Sequence, residues 1–215
     1  MRRRKVSAPY KEFLQGIDAL LLLDQKNQAR LASSSGRVSR DNISRQQLVL
    51  LTEGIFLSAY RDFESFLEDV FILSTQSKPT LSNKKPKSFL NPRDFDHAYE
   101  LIKSGREYLD WTSPTAVIER AETYLKDGEP VKLVFTSNQT VLNQMKSIRN
   151  HIAHNSKKSL EQYKKVLRQS QGTLPLTISR PGEFLLQIVP HSSPATHYLV
   201  HYLRILRRVA ADITR

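Results

Sequence analysis

The residues with the clearest chemical potential lie in the stretch Asn143–His154, where Arg149, Asn150 and His154 follow one another closely. An imidazole accepts or donates a proton near neutral pH. A guanidinium binds phosphate through two parallel donors, and an amide orients a neighbouring group without changing charge. These groups suit cleavage of an RNA backbone in which the 2′-hydroxyl attacks its own phosphate. Arg149 would stabilise the phosphorane, and His154 would move a proton as base, acid or both. That route needs no metal and no other cofactor.

One helix is predicted to hold all three groups. Apolar residues recur through this stretch at the spacing of a single buried helical face. At about 100° per residue, Asn150 and His154 share a face roughly opposite that stripe, and Arg149 lies on the flank between. The helix would therefore present the three polar groups at its surface on fixed spacings. The predicted stripe consists of Val141, Met145, Ile148 and Ile152.

Arg149-Asn150-x-x-x-His154 resembles the Arg-x(4–6)-His motif of HEPN domains, including the polar residue that commonly follows the arginine. Of the six histidines, only His154 has an arginine at the required distance. The continuation Ile152–Ser156 is also similar to that family, and Ala59–Leu67 resembles its long second helix. The likeness extends from about Tyr10 to the C-terminus and is closest to the RiboL-PSP-HEPN group.

The resemblance implies an all-α, HEPN-like helical bundle that assembles as a two-fold homodimer. Two subunits would pair with their motif helices facing each other, so that both copies of Arg149 and His154 converge on one scissile phosphate. The implied activity is a metal-independent endoribonuclease, a hydrolase that leaves a cyclic phosphate. The resemblance further implies a toxin-like or defence role, as in toxin–antitoxin systems, with an antitoxin or other neutralising partner.

Charge favours a polyanionic partner such as RNA. Lys and Arg number 33 against 21 Asp and Glu, for a formal net charge of +12. Between Gln144 and Ser170 there are seven basic residues and a single acidic one, Glu161. Phosphate steering would require such a bias around the site. The residues predicted to contact RNA are Lys146, His151, Lys157 and Lys158.

Composition predicts a soluble, cytoplasmic protein. The chain has no cysteine, which excludes disulfides and thiolate metal sites and fits a reducing compartment. The basic start is followed by no signal-peptide pattern, and Ala19–Leu23 is far too short to cross a membrane. With 215 residues, the chain suits one domain over residues 1–215.

The pattern of apolar residues along the rest of the chain predicts successive helices. A first helix from Tyr10 to about Ser33 is ended by the run Ser33–Gly36. A second, with Asp41 or Asn42 as N-cap, runs to about Gln76 and would be the scaffold of the domain, about 50 Å long. A shorter helix is predicted to start within Asn91–Asp94 and to run toward Lys103. Later helices are predicted from Pro114 (capped by Ser113) to Asp127–Gly128, from a cap at Thr136 or Ser137 to Asn155, over Ser156–Arg168 and over Pro194–Ile213.

Two segments interrupt the helical pattern. Residues 77–92 contain three prolines and four lysines, and are predicted to form an exposed basic loop. Residues 172–194 are predicted to be an irregular insertion before the last helix. Within it, Phe184–Val189 would be a short strand or an ordered loop. Val131–Phe135 is interpreted as loop or helix entry, and Trp111 as an anchor in the core.

Other functions stay open at this stage. His197 and His201 share a helical face, but no third ligand is evident, so no metal site is predicted. A non-catalytic RNA-binding module of HEPN-like fold would use the same basic face without cutting RNA. A helical protein-interaction domain would instead direct that face to an acidic protein.

Overall fold

Helices account for the regular structure of residues 5–32 and 42–215, the residues that the computed structural model describes. In this range there is no β-strand, only isolated bridges between Ser88 and Leu125 and between Ile188 and His197. The predicted all-α class is confirmed. The helices are α1 (Ser7–Ala32), α2 (Arg45–Thr75), α3 (Phe95–Lys103), α4 (Pro114–Tyr124), α5 (Lys132–Ser137), α6 (Gln139–His154), α7 (Lys157–Gln171), α8 (Pro181–Leu185) and α9 (Tyr198–Thr214).

The second helix is long, as predicted. α2 has 31 residues, which corresponds to about 46 Å at the usual helical rise. It begins later than expected. Ser44 Oγ accepts from Gln47 N at 3.2 Å, and Gln47 Oε1 accepts from Ser44 N at 2.8 Å, which is a reciprocal cap. Asn42 is therefore not the N-cap, while Asp41 and the run Ser33–Gly36 lie outside the described residues.

The chain divides into two compact units, and helices α1, α2, α6 and α9 each contribute to both. The first unit comprises Met1–Gln15, Asp62–Asn143 and Leu206–Arg215, and the second comprises Gly16–Arg61 and Gln144–Ile205. The prediction that residues 1–215 form one domain stays a prediction. The residues with predicted chemistry, Arg149 to His154, belong to the second unit.

The first unit has an aromatic core. The Phe13 ring packs on Phe63 and Phe66, with centroids 5.8 and 5.0 Å apart. Trp111 is 7% exposed, and its ring lies 5.3 Å from that of Phe71. The Arg120 guanidinium covers the indole at 4.3 Å. Trp111 is therefore the core anchor that the sequence predicts.

The second unit is also built on stacked rings. The Phe184 ring lies 4.4 Å from Tyr198 and 6.2 Å from Tyr163. Beside them, Leu186 packs with Leu48 and Val49 of α2 in a buried cluster. These contacts fix α8 and its flanking residues against α2, and thereby build one side of the region next to the motif helix.

Residues 77–92 form a largely exposed segment without helix, held at several points. Leu81 N donates to Thr214 O at 2.8 Å, and the Thr80 hydroxyl donates to Arg215 O at 2.8 Å. Farther along, Phe89 N donates to Tyr124 O at 3.0 Å. The segment is thus pinned to the end of α9 and of α4, while Lys84, Lys85 and Lys87 are exposed.

Several local expectations need correction. Val131–Phe135 leads into α5, so the loop alternative is wrong and the helix-entry alternative is right. Thr136 and Ser137 lie within α5 and do not cap the motif helix, because Asn138 separates the two helices and its Nδ2 donates to Val134 O at 2.9 Å.

The observed helix boundaries after residue 113 agree in part with the predicted ones. Pro114 begins α4 after Ser113, as predicted, but α4 ends at Tyr124 and is followed by a short 3-10 turn, Lys126–Gly128. The region 172–194 is not wholly irregular, since Pro181 starts the short helix α8. α8 includes Phe184 and Leu185, the first two residues of the segment that was expected to be a strand or a loop. The last helix begins at Tyr198 rather than at Pro194. None of the helices among the described residues is long and apolar enough to cross a bilayer.

Candidate active site

The three predicted catalytic residues lie on the C-terminal half of α6. Arg149 Nη1 donates to Asn150 Oδ1 at 3.3 Å, so the amide holds the guanidinium by a direct hydrogen bond. Both side chains are half-buried, whereas His154, the last helical residue, is exposed. The structure therefore brings Arg149 and Asn150 into contact and places His154 one turn beyond Asn150, on the same face.

The buried face of α6 agrees with the prediction at the centre of the helix. At the two ends of the helix, the buried residues differ from the predicted ones. Met145 and Ile148 are fully buried. Val141 and Ile152 are only half-buried, contrary to the prediction, while Leu142 is 2% exposed and was not predicted. Ile152 is incompletely covered because it lines a cavity. The buried residues fix the rotation of α6 and thus the outward direction of Asn150 and His154.

A tight turn ends α6 directly after His154. Asn155 has φ of 41°, a left-handed conformation that asparagine tolerates better than most residues. Its N–H donates to His151 O at 3.0 Å. Ser156 then caps α7: its Oγ accepts from Ser159 N at 3.2 Å, and Ser159 Oγ accepts from Ser156 N at 2.9 Å. The Asn-Ser pair therefore serves as a helix stop followed by a helix start.

His151 connects this turn to the interior. Its Nδ1 lies 3.2 Å from Ser159 Oγ, and its ring stacks on Tyr163 with centroids 5.0 Å apart. Burial lowers the pKa of His151 and outweighs the nearby Glu53 carboxylate, which raises it. The imidazole is thus packed in its neutral form at neutral pH. Its predicted contact with RNA stays a prediction.

The predicted basic residues lie around the same junction. Lys157 and Lys158 are exposed in the first turn of α7, which contains no acidic residue. Cations at a helix N-terminus oppose the helix dipole and cost stability, so an anion bound beside them would relieve that cost. Lys146 is half-buried on α6. Farther along α7, Lys164 Nζ pairs with Glu161 Oε1 at 2.8 Å, and this pairing lowers the pKa of Glu161.

A cavity of about 540 Å³ opens beside the motif helix, within the second unit. Glu53 of α2 contributes a carboxylate that is held on both oxygens. Oε2 pairs with Arg180 Nη2 at 3.2 Å, and Oε1 accepts from Gly182 N at 3.1 Å. The cavity therefore combines an oriented carboxylate with apolar walls. Its lining is Glu53, His151, Ile152, Asn155, Leu160, Ile178, Ser179, Arg180 and Pro181.

Sequence reasoning missed the role of Glu53. A signal was present, because Glu53 falls on the apolar face of α2, between Val49 and Phe56 at helical spacing. A glutamate is rarely buried unless it is paired. Its partners, Arg180 and Gly182, lie far along the chain and carry no comparable signal.

His197 and His201, the histidine pair considered as a possible metal site, contact different groups. His197 Nδ1 hydrogen-bonds Leu186 O, and the His201 ring lies 5.8 Å from that of Tyr202. Among the described residues, no group of three or more His, Asp or Glu side chains is arranged to hold a metal ion.

Comparison of the chain with models of known protein families, with curated proteins and with solved structures finds no significant match.

Proposed function

We propose that the chain is a metal-independent endoribonuclease of the HEPN type. The observation that carries the proposal is the hydrogen bond of 3.3 Å between Arg149 Nη1 and Asn150 Oδ1, with exposed His154 one turn farther along α6. A guanidinium that can bind phosphate and an accessible imidazole, both on one helix, are groups that transesterification of RNA can use.

In the proposed reaction, the 2′-hydroxyl oxygen attacks the adjacent phosphorus, and the bond from phosphorus to the 5′-oxygen of the next nucleotide breaks. One proton leaves the 2′-hydroxyl, and one proton is delivered to the departing 5′-oxygen. The products are a 2′,3′-cyclic phosphate and a 5′-hydroxyl. Arg149 binds the phosphorane oxygens, Asn150 holds the guanidinium, and His154 transfers a proton.

The proposal includes a homodimer, as the HEPN resemblance implies. The reaction needs one group that accepts a proton and another that donates one. A single chain supplies one His154, whereas two facing copies of α6 supply two imidazoles and two guanidiniums around one phosphate. A two-fold axis would place both copies symmetrically.

The test is cleavage of mixed RNA by the purified protein in EDTA, with analysis of the ends. The wild type should leave cyclic phosphate and 5′-hydroxyl ends, and His154→Ala should lose activity by at least about a hundredfold, the usual contribution of general acid–base catalysis. His191→Ala is the matched control, because His191 is exposed on a loop outside the motif. Equal cutting by wild type and His154→Ala would refute the assignment.

A non-catalytic RNA-binding module is the second candidate, and Lys157 and Lys158 at the start of α7 favour it. Salt-sensitive RNA binding by both wild type and His154→Ala, without cleavage by either, would establish it in place of the nuclease. No affinity for RNA at low salt would favour a helical protein-interaction domain.

The proposed biological setting follows from the resemblance. It is a toxin-like or defence role inside the cytoplasm, restrained by a neutralising partner. Expression of the wild type should then arrest growth, while expression of His154→Ala should not.

A further inference from the structure

The cavity beside α6 has the dimensions and the lining of a site for a flat aromatic ligand. Its volume is about 540 Å³, which falls within the usual range for small-molecule sites. Ile152 and Leu160 come from α6 and α7, Ile178 comes from the segment before α8, and Pro181 is the first residue of α8. These apolar side chains suit the two faces of a ring, while polar groups are available for its edge.

One polar group in this lining has capacity for a ligand. The Glu53 carboxylate accepts one hydrogen bond on each oxygen, from Gly182 N and Arg180 Nη2. A carboxylate can accept about four hydrogen bonds, so each oxygen retains the capacity to accept another.

The cavity also adjoins the proposed catalytic residues. Asn155, which contributes to the lining, directly follows His154 in the chain, so their Cα atoms are about 3.8 Å apart. His151, one turn before Asn155, lines the cavity as well. A phosphate bound at His154 would therefore lie next to the cavity wall that Asn155 forms.

We infer that the cavity beside α6 binds the nucleobase next to the scissile phosphate and selects guanine through the Glu53 carboxylate. This inference rests on the proposed ribonuclease function and deepens it by naming a base preference. Guanine is the RNA base whose Watson–Crick edge presents two adjacent donors, N1–H and the N2 amino group, to a carboxylate. Adenine and cytosine present one amino group beside an acceptor nitrogen, which the carboxylate would repel.

Binding of mononucleotides tests the pocket without requiring catalysis. By titration calorimetry, the full-length protein should bind guanosine monophosphate at least roughly tenfold more tightly than adenosine monophosphate, the discrimination expected of a good bidentate contact. Inosine monophosphate, which lacks the N2 amino group, should bind with intermediate affinity. Glu53→Gln should abolish the preference for guanosine, because the amide nitrogen is a donor. His154→Ala should keep the preference.

A second variant keeps the test decisive if Glu53→Gln unfolds. Ile178→Trp fills the cavity from a half-buried position without removing the contacts of Glu53, and it should abolish binding of guanosine monophosphate. Equal affinities for guanosine and adenosine monophosphates in the wild type, no binding of either, or undiminished binding in Ile178→Trp would overturn the inference.

Cleavage mapping separates the two proposals. Selective binding of guanosine monophosphate together with RNA cuts beside guanine supports both. Selective binding without any cleavage supports the pocket and removes the nuclease. Cleavage in EDTA that ignores guanine, with no selective binding, keeps the nuclease and overturns the pocket.

Discussion

His151 Nδ1 lies 3.2 Å from Ser159 Oγ, and this contact ties the motif helix to the first turn of the helix that follows. The Ser159 hydroxyl donates to Ser156 O at 2.9 Å and its oxygen accepts from Ser156 N at 2.9 Å, so one side chain connects the cap of α7 with His151. The position of His154 relative to Lys157 depends on this junction.

Protonation of His151 should destabilise the fold. Burial lowers its pKa below the ordinary value of 6.5, so the unfolded chain takes up the proton first as the pH falls. The free energy of unfolding should then decrease from pH 6.5 down to the lowered pKa and stay reduced below it. Urea unfolding between pH 8 and pH 5 measures this loss. His151→Gln, which can still hydrogen-bond Ser159, should show a shallower decrease; an identical decrease in both proteins would show that protonation of His151 is not its cause.

Removal of the Ser159 hydroxyl should weaken the junction between α6 and α7. Ser159→Ala eliminates the acceptor for Ser156 N and the polar contact with His151, and should lower the free energy of unfolding by about 1 kcal/mol. Ser65→Ala, at an exposed position within α2, should change it by less than about 0.5 kcal/mol. Chemical denaturation of both variants decides the question, and equal stabilities would refute the role of Ser159.

Two glycines should respond to alanine in opposite directions. A Cβ on Gly182 would lie 2.3 Å from Val49 O, so Gly182→Ala should lower the free energy of unfolding by about 1–3 kcal/mol. A Cβ on Gly54, an exposed position inside α2, would meet nothing within 4 Å. Gly54→Ala should therefore raise stability by about 0.5–1 kcal/mol. Urea midpoints of the two variants give the signs directly, and a stable Gly182→Ala would show that α8 is not packed closely on α2.

Charge reversal at Lys157 should improve stability and impair binding of RNA. Glu in the first turn of α7 favours the helix dipole, so Lys157→Glu should raise the free energy of unfolding by about 0.3–1 kcal/mol. The same change should weaken affinity for single-stranded RNA and reduce its dependence on salt. Lys26→Glu, an equal change of charge at an exposed position of α1, serves as the control. A loss of affinity as large in Lys26→Glu would mean that the start of α7 has no special role.

Long, regular patterns made part of the fold predictable from the sequence. The apolar spacing of α2 predicted an end near Gln76, and the helix ends at Thr75. Phe63 and Phe66 share this apolar spacing, and both are buried. Over so many turns, a wrong period would expose several large apolar side chains, so the pattern allows few alternatives.

The missed features depend on contacts between distant parts of the chain. α8 is only five residues long, and its position depends on Gly182 N reaching Glu53 across 129 residues. Local propensity cannot specify such a pair. For the same reason the sequence indicated Arg149, Asn150 and His154, which lie on one helix, but not the cavity. The cavity is assembled from α2, α6, α7, the segment before α8 and the start of α8.

The most direct test of the proposed chemistry is an oligodeoxynucleotide that carries a single guanosine ribonucleotide, incubated with the protein in EDTA. Cleavage should occur only on the 3′ side of that ribonucleotide, leave a 2′,3′-cyclic phosphate, and disappear in Arg149→Lys as well as His154→Ala, because a lysine cannot make the paired contact with phosphate. Cleavage of the matching all-deoxy strand, or products without a cyclic phosphate, would contradict attack by the 2′-hydroxyl and with it the assigned roles of Arg149 and His154.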